Sequence, residues 1–360
     1  MTGVQTCALP ILGDDPAADT WYGLPVADRV ATTWGLPGSY DAEHHILYWS
    51  VANPSPYTRM ERHGGVDVAP TSAPVDLYSN STLALDPDSG ELLWYYQHLP
   101  GDDWDEDMNQ ERIILRTRFN PDPAHVRWIN PDVAKGELRD IVVNVGEGGG
   151  LWALDKQPGQ FLWATPFPED VPNFLLSDID VRSGATQINR ELLLDRPGAS
   201  RTICFFNTRS YWPGAYSPQT NSLYMPYIKN CLNMTAASPA TADRPASRQS
   251  RMGTPQQGVP DDELNGLAKV NMETGEITQW PMGPIPTNSA ILATAGDLIF
   301  WGDINRRFRA QDAESGEVLW ETILGGPISV SNITYEVDGR QYIAVITGQN
   351  LSPEIGRAHA

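Results

Sequence analysis

Apolar and polar residues along this chain alternate in short runs, and the runs come in pairs. Leu83–Trp94, LALDPDSGELLW, reads as a strand ending at Asp86, a turn at Ser89-Gly90 and a second strand closing on Trp94. The pattern returns as LWALDKQPGQFLW (Leu151–Trp163), LAKVNMETGEITQW (Leu267–Trp280) and FRAQDAESGEVLW (Phe308–Trp320). Looser copies are SYDAEHHILYW (Ser39–Trp49), SDIDVRSGATQIN (Ser177–Asn189) and AYSPQTNSLYMP (Ala215–Pro226). Asp and Gly supply the turn geometry, and the closing Trp is a large aromatic placed to dock on the next unit. Helical periodicity is nearly absent. Strands at this spacing with one aromatic per repeat predict an all-β fold, a β-propeller of four-stranded blades. Two segments break the rhythm. Tyr57–Ala73, rich in Arg, His, Gly and Pro, is expected to be a loop, and the polar stretch Met234–Gly266 a surface insertion or a functional loop.

Composition fits a globular chain that turns often: 360 residues, 41% hydrophobic and 19% charged, with 31 Gly and 30 Pro. A formal net charge of −20 argues against nucleic acid, whose phosphates need Lys and Arg clusters, and suits a basic partner or a polyvalent cation. No apolar run reaches the roughly 20 residues needed to span a bilayer, so no transmembrane segment is expected. The six His show no metal spacing, and His44 and His45 are expected to face solvent from a turn. No CxxCH is present, which excludes attached c-type haem. Cys204 and Cys231 bracket a two-strand pattern and are read either as a disulfide, implying an oxidising compartment, or as two buried thiols. Met1–Leu12 is not a convincing signal peptide. Residues 1–13 and 354–360 fit nothing between them and are expected to be artefactual flanks of a gene fragment.

The candidate chemistry follows the first clean repeat. QHLPGDDWDED (Gln97–Asp107) places five acids in a short loop, with Asp105 and Asp107 two residues apart behind Trp104. The alternative is a solvated acidic loop of Asp102, Asp103, Asp105, Glu106 and Asp107.

At these residues the chain resembles the pyrroloquinoline quinone (PQQ)-dependent alcohol dehydrogenases of the methanol and ethanol dehydrogenase type. That family is an eight-bladed propeller with the blade motif A-x-D-x-x-[TS]-G-x-x-x-W. SYDAEHHILYWSVANPSP (Ser39–Pro56) resembles the segment whose Asn ligates the metal, and Asn53 takes that place. The Gln97–Asp107 segment resembles one ending in WDYD, whose first Asp is the proposed catalytic base, and Asp105 takes that place. GDINRRFRAQDAESGEVLWE with TYEVDGRQYIAVITG resembles the last complete blade. The likeness runs from about Asp14 to Gly348 and implies a partial propeller over residues 14–353, about five of the eight blades.

The resemblance implies PQQ and a metal ion held by Asn53, Asp105 and Asp107, with Asp105 also the base. An Asp at position 107 accompanies lanthanide rather than calcium use, since a trivalent ion favours more anionic oxygen ligands. Trp34 lies near the place of the Trp forming the floor under the quinone. The Cys204–Cys231 pair matches a disulfide of some members. Three departures stand out. Glu147 occupies the place of an Arg or Lys bonded to the quinone oxygens, Ser210 that of an Asn contacting the cofactor, and the N-terminal blades carrying a glutamate metal ligand are missing. The implied partners are a small alcohol and a periplasmic cytochrome c-type acceptor, with a homodimer also open and a periplasmic location. Two other readings compete: a noncatalytic propeller scaffold of an envelope assembly, and a sugar or polyol quinoprotein. The joint presence of Asn53, Asp105 and Asp107 disfavours the first; the methanol/ethanol-like segments disfavour the second.

Overall fold

A computed structural model describes residues 20–348 except 32, 34, 35, 239–247, 288, 329 and 330. Trp34 and both terminal segments therefore lie outside the described residues.

All seven hairpins read from the sequence form. Four antiparallel four-stranded meanders follow one another as blades. The first is built from Ser39–Asp41, Ile46–Ser50, Ser81–Leu85 and Leu92–Gln97. The second takes Ile113–Arg118, Leu138–Val145, Leu151–Asp155 and Phe161–Thr165, with Trp128–Ile129 added at its edge. The third takes Ala215–Ser217, Ser222–Ile228, Asn265–Asn271 and Ile277–Gly283; the fourth takes Leu292–Ala293, Leu298–Gly302, Arg307–Asp312 and Val318–Ile323. A further hairpin pairs Asn332–Val337 with Arg340–Val345.

Side chains dictate the turns. Asp86 Oδ1 accepts the Asp88 and Ser89 amides and the Ser89 hydroxyl at 2.8–3.0 Å, and Asp312 repeats this with Glu314 and Ser315 at 2.7–3.0 Å. Gly90 and Gly316 close these turns at φ 76°, a conformation that costs a residue with a Cβ.

The closing aromatic docks as the repeat predicts. A Cβ on Gly159 would sit 2.5 Å from the Trp94 ring, so the indole lies flat on the next blade's turn. Trp94 Nε1 and the Tyr48 hydroxyl both donate to the Lys156 carbonyl of that turn, at 3.1 and 2.9 Å. Trp280 covers Gly316 in the same way, and the Tyr224 hydroxyl donates to the Ala313 carbonyl at 2.7 Å. Three buried apolar clusters accordingly alternate with the four blades: around Trp152 and Phe161, around Val143 and Leu223, and around Leu267 and Trp301. Trp320, ending the fourth blade, is half exposed.

Three expectations need correction. Tyr57–Ala73 is not wholly loop: Arg59–His63 forms a short helix, capped by the Thr58 side chain and ended by Gly64 in the left-handed region. The polar stretch Met234–Gly266 contains the strand Ser250–Pro255, third member of a sheet with Ser200–Cys204 and Asn230–Thr235. His45 is exposed, but His44 is half-buried because its ring bonds Asp41 at 2.9 Å. In the added sheet Cys204 stands directly opposite Cys231, with Cα atoms 4.4 Å apart, and the two form a disulfide. No described helix is long and apolar enough to cross a membrane.

Candidate active site

The acidic loop joins the first blade to the second, and it is not solvated. Asp102, Asp103, Glu106 and Asp107 are all buried. A buried carboxylate is costly unless bonded, and the bonding divides the acids into two kinds.

Asp102 and Asp103 shape the loop. Asp102 accepts the Trp104 and Glu106 amides at 2.7 and 2.8 Å and the Asn80 side chain at 3.2 Å; burial still pushes its pKa up to about 6. Asp103 accepts the Arg59 and Leu194 amides at 2.5 and 2.7 Å. The short helix clamps the loop's main chain through two buried arginines. Arg59 donates to the Gly101 carbonyl at 2.9 Å and Arg62 to the Asp102 carbonyl at 2.9 Å, while Arg62 also pairs with Asp76 at 3.0 Å. This explains the basic composition of a segment the sequence offers only as loop. Trp104 anchors the far side, its Nε1 donating to the Leu192 carbonyl at 2.9 Å.

The other acids point to chemistry. Asp105 adopts φ 65°, an unusual conformation for a residue with a side chain and one that gathers at functional sites. Its carboxylate is paired with Arg251, from the strand Ser250–Pro255. Arg251 also donates to the Trp104 and Asp105 carbonyls at 3.0 and 3.2 Å, and its guanidinium stacks 5.8 Å from the Tyr57 ring and 5.6 Å from the Phe206 ring. Burial opposes the charge on Arg251, but Asp105, Glu106 and Glu147 more than offset it and raise the pKa.

Asp107 Oδ1 accepts the main-chain amide of Asn53 at 3.1 Å, while the Asn53 side-chain amide donates to the Pro54 carbonyl at 3.2 Å, so two of the three expected metal ligands are neighbours. The Asp107 carbonyl in turn accepts the Glu147 amide at 3.0 Å, and the Glu147 carbonyl accepts the Thr208 amide at 2.9 Å. Ser210, also buried, follows two residues later. Asn53, Asp107 and Glu147 thus meet from three separate segments, with Asp105 in the loop of Asp107 and Ser210 two residues beyond the Thr208 amide that bonds Glu147. Sequence reading missed Arg251 and gave Glu106 no role.

The donor set is oxygen-rich and anionic, which suits a hard cation. Both Glu106 oxygens are buried without a hydrogen-bond partner, as are the side-chain amides of Asn109 and Gln110, so the loop leaves several buried polar groups unsatisfied. Among the described residues no three His, Cys, Asp or Glu side chains converge as a preformed metal centre.

A propeller whose blades lock by tryptophan on glycine, with carboxylates and an amide gathered between its first two blades, defines the class. The chain belongs to the PQQ family, described as glucose/ethanol/alcohol dehydrogenase, β-propeller domain, which it matches over residues 10–126 and 249–343. Asn53, Asp105, Asp107 and Arg251 fall within the matched residues; Glu147, Ser210 and the disulfide fall between them. The chain is 27% identical over 322 residues to a quinoprotein ethanol dehydrogenase of Pseudomonas aeruginosa, covering 86% of this chain and 48% of the relative. It is 26% identical over 358 residues to a lanthanide-dependent methanol dehydrogenase of Methylorubrum extorquens, covering 96% and 55%. A europium-containing methanol dehydrogenase structure superposes with TM-score 0.69 at 26% identity, covering 90% of this chain and 53% of that one. The chain therefore spans about half the length of the curated relatives it matches.

Proposed function

We propose that this chain is the part of a periplasmic alcohol dehydrogenase that carries its catalytic base and most of its cation ligands. The observation that carries the proposal is the Asn53–Asp107 bond, with Asp105 in the same buried loop. PQQ, polarised by a bound cation, would take hydride from the alcohol.

This chain's residues have separate tasks. Asp105 accepts the hydroxyl proton of the alcohol as general base. Asn53, Asp105 and Asp107 would hold the cation, and the extra carboxylate of Asp107 favours a lanthanide over calcium. Ser210 and Trp34 would contact PQQ. Glu147 would face the quinone oxygens with the wrong charge, and Arg251, engaged with Asp105 beside it, is the cation available to offset that charge. The buried loop, fixed by Arg59, Arg62 and Trp104, keeps Asp105 from drifting. A cytochrome c-type protein would accept the electrons, and the Cys204–Cys231 disulfide suits an oxidising compartment.

Dye-linked alcohol oxidation in the presence of PQQ and La3+ tests the proposal. Turnover that disappears in Asp105→Asn supports it; equal turnover in the two proteins removes Asp105 as base, and no turnover in either counts against the whole reading.

A further inference from the structure

Arg251 holds Asp105, and its own place is set by the added sheet. Its strand Ser250–Pro255 pairs with Asn230–Thr235, where Arg251 stands opposite Met234 and Thr254 opposite Cys231. Cys231 is bonded in turn to Cys204, the last residue of Ser200–Cys204. From Cys204 the chain runs as a short arm, residues 205–210, into the site. Phe205 is fully buried, and a Cβ on Gly149 would stand 3.0 Å from its ring. The Phe206 ring lies 5.6 Å from the Arg251 guanidinium, and a Cβ on Gly253 would stand 3.0 Å from that ring. The Phe206 amide donates to the Asn230 carbonyl, and the Thr208 amide to the Glu147 carbonyl, both at 2.9 Å. The disulfide thus closes the root of an arm that touches both Arg251 and the Glu147 turn.

A guanidinium on an aromatic face is oriented by that face, so an ordered ring gives an ordered cation. Asp105 needs such support, because its φ of 65° persists only where the surroundings impose it. Arg251 supplies the support by bonding the Trp104 and Asp105 carbonyls. We propose that Phe206 and the Cys204–Cys231 disulfide are positioning residues for Asp105. The disulfide fixes the arm, the Phe206 ring fixes Arg251, and Arg251 fixes the loop that carries Asp105. A cross-link between residues 27 apart restricts local opening of the added sheet, which is the motion that would withdraw the ring. Gly253 fits the same account, since the ring lies where a side chain there would press. The effect on turnover rests on the reading of Asp105 as base, whereas the coupling from disulfide to loop stands on the contacts alone.

Amide hydrogen exchange of the full chain, read by mass spectrometry on the peptide spanning residues 102–108, tests the coupling. Two variants are compared with the unaltered chain: Cys204→Ala with Cys231→Ala, and Phe206→Leu with the disulfide intact. Each should speed exchange in that peptide about tenfold or more, while the strands of the fourth blade exchange as before. Trp280→Ala, which uncovers Gly316 between the third and fourth blades, should show the opposite pattern. Unchanged loop exchange in either folded variant overturns the inference, as does a rise of equal size in every blade. If the double alanine variant does not fold, Phe206→Leu alone decides. Turnover separates this result from the reading of Asp105. In the same variants kcat should fall about tenfold with KM little changed. Faster loop exchange with full turnover supports the coupling and counts against Asp105 as base; unchanged exchange with lost turnover overturns the coupling and leaves Asp105 in place.

Discussion

Asp107 accepts the main-chain amide of Asn53 at 3.1 Å, across 54 residues of sequence, and so ties the end of the acidic loop to the segment that follows the first blade's second strand. The bond turns the Asp107 carboxylate toward the Asn53 side. Asp107→Ala should therefore weaken lanthanide binding about tenfold or more and narrow the preference for La3+ over Ca2+. Competitive titration with the two ions measures this; an unchanged ratio would remove Asp107 from the site.

Asp105 and Arg251 form an ion pair joining the loop to the added sheet. Asp105→Asn should lower turnover about 100-fold or more while the circular dichroism spectrum stays the same. Arg251→Gln should lower turnover less and lower the melting temperature, since it also loses bonds to the Trp104 and Asp105 carbonyls. A variant as active and as stable as the parent would show that the pair is incidental.

Tryptophan docking predicts an asymmetry in stability. Trp94→Ala removes the ring on Gly159 and the bond to the Lys156 carbonyl, and should cost about 3 kcal/mol. Trp320→Ala removes a half-exposed ring and should cost no more than about 0.5 kcal/mol in this chain. Urea denaturation of the two variants measures the difference; similar losses would contradict the docking account.

Much of the architecture is legible in the sequence because its determinants are local. Asp86 and Gly90, or Asp312 and Gly316, lie four residues apart and build their own turns. The docking of Trp94 is legible for the same reason: the Leu151–Trp163 and Phe308–Trp320 repeats carry the glycines, Gly159 and Gly316, that receive the rings of Trp94 and Trp280. The site is legible only where a short segment holds the chemistry, as with Asn53, Asp105 and Asp107. Arg251 meets Asp105 across 146 residues, so no local pattern announces it. The short helix escapes notice because five residues are too few to show helical periodicity. Burial of the acids is ambiguous in the sequence because it depends on those distant partners: without Arg59, Arg62 and Arg251, the same five acids would be better solvated.

His98 and Asp102 contribute to pH dependence with opposite signs. His98 lies fully buried against Trp152, with ring centroids 4.9 Å apart, and bonds the Thr82 hydroxyl at 2.7 Å. Burial, and secondarily the charge of Arg112, hold its pKa well below the usual range. The folded chain thus binds fewer protons than the unfolded chain below about pH 6.5, and stability from this residue falls as pH drops through that value. Asp102, raised to about 6, acts with the opposite sign, favouring the fold where it is protonated and losing that contribution as pH rises through about 6. Denaturant curves from pH 8 to 5 should therefore be compared between the parent and His98→Gln, whose acid slope should be flatter by up to about 1.4 kcal/mol per pH unit. Identical slopes would exclude His98.

A PQQ site in this chain should depend on a bound cation, and PQQ binding measures that dependence. Tryptophan quenching and difference absorbance would be followed with La3+, with Ca2+ and with chelator. Saturable binding is expected with La3+, weaker binding with Ca2+ and none with chelator. Binding that ignores the ions, or its absence under all three conditions in a folded sample, would contradict a cation-dependent site.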